Sequence, residues 1–193
     1  MNTRSDKLNH IIFLLTVTLL TACVSGHQSG QAATGGDNPE ARPEPPAYLE
    51  KVAALKNDLA ALNGHINLTE AGDLAQTAIS YSYHLAEEYR VVRPAIFHNL
   101  LVRIGLKDRG LCYQWTEDLT NRLCLMQLKS FQLHWGVAYR GSELREHNTV
   151  VVTASGQKFE EGIVLDPWRN SGDLFWARVK YDHYPWKERL PNE

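Results

Sequence analysis

Three cysteines in 193 residues are too few for a disulfide scaffold. Charge of one sign is missing as well. The 20 Lys+Arg and 22 Asp+Glu leave a formal net charge of −2, which excludes a broad electrostatic grip on nucleic acid. No apolar run reaches the roughly 20 residues that span a bilayer. Zinc-ligand spacing, a Gly-rich phosphate loop and an internal repeat are all absent, so no metal and no cofactor is expected. What is present is an ordinary hydrophobic content of 44%, sufficient for one folded domain and a tail.

The tail is amino-terminal. Arg4 and Lys7 precede a 12-residue apolar run, Ile11 to Ala22, which has the length of a signal-peptide core. The run closes on Leu20-Thr21-Ala22-Cys23, which resembles the lipobox of bacterial lipoproteins. That resemblance implies removal of residues 1–22 and acylation of Cys23 as the first mature residue. Two or three acyl chains then give lasting anchorage in the cell envelope. Val24 stands where an inner-membrane retention signal usually has Asp, so the outer membrane is the expected location. Residues 24–46 are rich in Gly, Ser, Pro and polar side chains and have almost nothing to bury, so 23–47 reads as an acylated tether. The folded domain is expected over 48–193.

Within that domain the hydrophobic period changes once. Leu49, Val52, Ala53, Leu55 and Leu59 suggest a first helix ending near Asn63-Gly64. Thr69 can cap a second, with Leu74, Ala75, Ala78, Ile79, Leu85, Ala86 and Tyr89 on one face. Pro94 opens a third over Ala95 to Leu106, dense in Ile96, Phe97, Leu100, Leu101 and Ile104. After residue 130 the pattern alternates. Phe131, Leu133, Trp135, Val137 and Tyr139 read as the buried face of a half-buried strand, with His134 on its polar phase. Asn148 to Ala154 and Gly162 to Asp166 are two further strands. Helices followed by an antiparallel sheet define an α+β fold.

The residues with chemistry lie where these halves meet. Gly110 precedes a helical pattern in which Leu111, Trp115, Leu119 and Leu123 repeat every four residues, so Cys112 falls in a first turn. The positive end of a helix favours a thiolate, the nucleophilic form of the side chain. A buried structural cysteine is the alternative. A Cys112–Cys124 disulfide is excluded, because residues 12 apart on one helix are separated by roughly 18 Å. Cys124 is expected in the core. A nucleophile needs a base and a group to orient that base. His147 before one strand and Asp166 at the end of the next can supply them, with His134 the rival base.

Gly110-Leu111-Cys112, then His147, then Leu165-Asp166-Pro167, in this order, resembles the transglutaminase-like cysteine-enzyme superfamily with its papain-like core. The family often has an aromatic directly after the cysteine, as Tyr113 does here. It frequently has a Trp shortly after the histidine, where this chain has Asn148 and Thr149. The resemblance implies that Cys112 attacks an amide or other acyl carbonyl, His147 moves protons and Asp166 holds the imidazole. The Cys112 N–H would be half of an oxyanion hole. Trp168 and Arg169 are expected substrate contacts. Expected partners are a peptide, protein or cell-wall substrate and the membrane that holds the lipid. A non-catalytic module binding a peptide, glycan or partner on the same fold is the other function class.

Overall fold

The computed structural model describes residues 45–190. The apolar amino-terminal run, Cys23 and nearly all of the tether lie outside the described residues. Within them, four α-helices come first: α1 (Pro45–Ala60), α2 (Leu68–Glu88), α3 (Ala95–Arg103) and α4 (Cys112–Cys124). Five strands follow: β1 (Phe131–Ala138), β2 (His147–Ala154), β3 (Ile163–Asp166), β4 (Phe175–Arg178) and β5 (Lys187–Glu188). All strand pairs are antiparallel, and the architecture is α+β. The order β4-β3-β2-β1-β5 is a meander whose final strand returns to the free edge of β1.

Side-chain chemistry sets the helix bounds. Asn67, two residues earlier than the expected Thr69, caps α2 by accepting from the N–H groups of Thr69 and Glu70. Leu74, Ala75, Ala78, Ile79, Leu85 and Tyr89 are buried, as the 3.6-residue period requires. On α4 the buried stripe is Trp115, Thr116, Leu119 and Leu123. Cys124 is exposed, contrary to the core position expected for it. It lies about 100° round the helix from Leu123, off the stripe.

The third helix departs further from expectation. It ends at Arg103, and Ile96, Phe97, Leu100 and Ile104 project outward, Ile96 being 71% exposed. Only Ala95 and His98 are buried on it. His98 fastens the helix instead. Its Nδ1 accepts from the Val92 N–H at 3.1 Å and its Nε2 donates to the Arg109 carbonyl at 2.9 Å. A neutral ring with hydrogen on Nε2 satisfies both.

The central strand β2 is buried along its whole length. Val150, Val152 and Ala154 pack with Leu55, Leu59, Leu74, Ile79, Leu119 and Leu123 of the helices. Val151 packs with Phe159, Val164, Val179 and Trp186 on the opposite face. The centre of the sheet is thus covered on both sides, while β1 leaves Gln132 exposed and Leu133, His134 and Trp135 partly buried. Phe159, between β2 and β3, and residues after β4 provide that second layer.

This arrangement brings the start of β2, the end of β3 and the start of α4 to one end of the sheet. Gly110 sets the entry to α4. Its φ of +128° is left to glycine, and a Cβ there would overlap the His98 ring. Its carbonyl accepts from Trp115 Nε1 at 2.9 Å. Gly110→Ala is therefore expected to lower stability by about 2–4 kcal/mol in urea denaturation. A loss below about 1 kcal/mol would mean that the loop relaxes without constraining Cys112.

Candidate active site

Cys112 is the first residue of α4 and is half-buried. The Gln114 side chain folds back, its Oε1 accepting from the N–H groups of Gly110 at 2.8 Å and Leu111 at 3.0 Å. The next two N–H groups, of Cys112 and Tyr113, have no acceptor within the helix. They carry its positive end. The Cys112 thiol donates to the Glu146 carbonyl at 3.7 Å, and Asn148 Nδ2 donates to Sγ at 3.9 Å.

His147 opens β2 and Asp166 closes β3, and the antiparallel pairing makes them neighbours. His147 Nε2 donates to Asp166 Oδ2 at 2.7 Å, with 3% and 0% of the two side chains exposed. Burial on its own would lower the imidazole pKa. The Asp166 charge and hydrogen bond, joined by Cys112, outweigh burial and push it up to about 9. Nδ1 is buried and makes no hydrogen bond to a described residue. Cys112 is among the groups that raise the ring's pKa, and its Sγ lies 3.7 Å from the Glu146 carbonyl oxygen. Trp168, Tyr184 and Trp186 enclose the ring, with centroids 4.6, 5.0 and 5.3 Å away.

The carboxylate has its own supports. Asp166 Oδ2 also accepts from Arg169 Nε at 2.9 Å, and Oδ1 accepts from the Arg169 N–H at 3.0 Å. The remaining guanidinium nitrogens donate to Asp182 at 2.9 and 2.7 Å. Burial would raise the Asp182 pKa, but hydrogen bonds from Arg169 and Trp186 hold it down at about 2. Arg169 is thus fully engaged between two carboxylates and does not line the cleft beside Cys112. It is a holding residue, not the expected substrate contact. Trp168 does line the cleft, its indole N–H donating to Asn99 Oδ1 at 3.0 Å.

The cleft encloses about 580 Å³ and is bordered by Cys112, His147, Asn148, Trp168 and Tyr184, with Ile96 and Leu144 as apolar walls. His134 is not part of it. Both its nitrogens are engaged, by Glu188 Oε1 at 2.6 Å and Thr153 Oγ1 at 2.9 Å. Asn148, Asp182 and Tyr184 were not among the expected site residues. Asn148 carries a sequence signal, since it shares the helix-facing phase of Val150 and Val152, where an unpartnered polar group is costly. Among the described residues no cluster of three or more His, Cys, Asp or Glu could hold a metal ion, and no helix is long and apolar enough to cross a membrane.

In comparisons with known proteins, no family model, no curated protein and no solved structure matches this chain.

A folded-state imidazole pKa of about 9, against an ordinary 6.5, makes protonated His147 a stabilising group. Its contribution is complete below about pH 6.5 and is lost as pH rises toward about 9. The stability gap between the wild-type protein and His147→Gln, measured by urea denaturation, should narrow across that interval. A gap independent of pH would contradict the shift.

Proposed function

We propose that this chain is a transglutaminase-like cysteine enzyme with a papain-like core that cleaves or exchanges amide bonds through Cys112, His147 and Asp166. The observation that carries this reading is the buried His147–Asp166 bond of 2.7 Å, with the second ring nitrogen making no hydrogen bond to a described residue and Cys112 among the groups that raise the ring's pKa. A purely structural histidine would have both nitrogens satisfied, as His98 and His134 do. In the working cycle His147, protonated up to about pH 9, holds its second proton on Nδ1 with Asp166 stabilising the imidazolium, and Cys112 reacts as the thiolate of that pair. The sulfur attacks an acyl carbon, and the imidazolium returns the proton to the departing amine. Water or an amine then takes the acyl group from sulfur, giving hydrolysis or transfer.

The cleft is open to an extended substrate such as a peptide, a protein segment or a cell-wall amide. Acylation at Cys23 would hold the domain at the envelope membrane, with the following residues as its tether.

The thiol chemistry gives a direct test. Cys124 is an exposed cysteine on the same helix and serves as an internal reference. In the full chain at about pH 6.5, iodoacetamide should label Cys112 faster than Cys124, as resolved by peptide mapping. His147→Ala should abolish that advantage. Equal labelling of the two cysteines in the wild-type protein would reject an activated thiol and leave a binding module.

A further inference from the structure

We propose that Asn148 is the second oxyanion donor of this site and that Trp135 fixes its orientation. The inference rests on the reading of Cys112 as a nucleophile and adds a catalytic residue to it. An attack by sulfur on an acyl carbon forms the S–C bond and drives the carbonyl π pair onto oxygen. That oxygen becomes an anion, and donors aimed at it lower the barrier. The Cys112 N–H at the start of α4 is one donor. One donor leaves the developing anion only partly stabilised.

Asn148 meets the requirement by position. It is 6% exposed, on the helix-facing phase of β2, and its Nδ2 is 3.9 Å from Sγ. Its orientation is determined by chemistry. Trp135 Nε1–H, which can only donate, bonds to Asn148 Oδ1 at 2.7 Å. The amide oxygen is thereby committed to the indole, and the NH₂ group must face the sulfur. One of its hydrogens also reaches Glu146 Oε1 at 3.5 Å. A flipped amide would set its NH₂ against the indole N–H and its oxygen against the Glu146 carboxylate. It would forfeit both hydrogen bonds. The donor is consequently preorganised, and no reorientation is needed when charge develops on the substrate oxygen. When the carbonyl re-forms, the bond to the leaving group breaks and the amine takes the proton held on His147.

Two reagents separate this role from the reactivity of the thiol. Acylation of Cys112 by p-nitrophenyl acetate passes through an oxyanion and is read as a burst of nitrophenolate. Alkylation by iodoacetamide displaces iodide at a saturated carbon and forms no oxyanion. The readout is the ratio of the two rate constants in the full chain, for the wild-type protein, Asn148→Ala, Asn148→Asp and Trp135→Phe. The ratio should fall about 10²–10³-fold in both Asn148 variants. It should fall by less in Trp135→Phe, which keeps the aromatic packing and removes only the N–H that locks the amide. Alkylation of Cys112 that stays faster than that of Cys124 in each variant reports a folded site. An unchanged ratio in the two Asn148 variants, with the wild-type thiol activated, would overturn the donor role and leave the cysteine-enzyme reading standing. A wild-type Cys112 that is neither acylated nor alkylated faster than Cys124 would overturn both.

Discussion

Asp166 is a carboxylate with no exposure to solvent, and the site is built around keeping it charged. An ion of that size moved out of water without compensation costs several kcal/mol. Three donors offset the cost: His147 Nε2, Arg169 Nε and the Arg169 N–H. Because β2 and β3 pair antiparallel, Asp166 at the end of β3 lies diagonally across from His147 at the start of β2, on the same face, and their side chains meet. The imidazole gains a charged neighbour strong enough to outweigh its own burial, which is how a ring enclosed by three aromatics remains protonatable. Removing one partner of such a pair leaves the other charge stranded.

The supports extend outward from the carboxylate. Arg169 spans Asp166 and Asp182, and Trp186 Nε1 donates to Asp182 at 2.7 Å. The carboxy-terminal segment that covers the second face of the sheet therefore also anchors the guanidinium that anchors the carboxylate. Phe175 and Tyr184 cover the guanidinium faces, at 3.9 and 4.8 Å from their centroids. Opposite, the α3–α4 connection fixes the sulfur through His98, Gly110 and Gln114. One side of the cleft is thus held by ionic hydrogen bonds in the sheet. The other is held by the start of α4, where Cys112 and Tyr113 border the cleft.

Much of this was readable from residue order. The stripe of Trp115, Leu119 and Leu123 placed Cys112 at a helix start, and two β-branched runs placed His147 beside Asp166. The α2 face followed its period. Other features depend on partners distant in sequence. The apolar residues of α3 suggested burial, but the helix is fastened by hydrogen bonds, from buried His98 to residues that flank it in the chain and from Trp168 to Asn99. Arg169 next to Trp168 resembled a cleft residue, and only the fold reveals that Asp182 captures it. His134 lay on the polar phase of β1, a phase that reads as solvent-facing until the last strand returns over it. Asn148 was legible as a departure from an expected aromatic and as a polar residue on the helix-facing phase of β2. Its meaning came from Trp135, which is its near neighbour across the β1–β2 ladder and 13 residues away along the chain.

The central claim is that Asp166 controls the protonation of His147. The most direct measurement is an NMR titration of the His147 ring in the wild-type protein and in Asp166→Asn. The wild-type ring should keep its second proton up to about pH 9. In the variant, burial acts with less opposition, and the midpoint should fall toward or below the ordinary value of 6.5. Identical midpoints in the two proteins, or a wild-type ring already neutral at pH 6.5, would contradict the account.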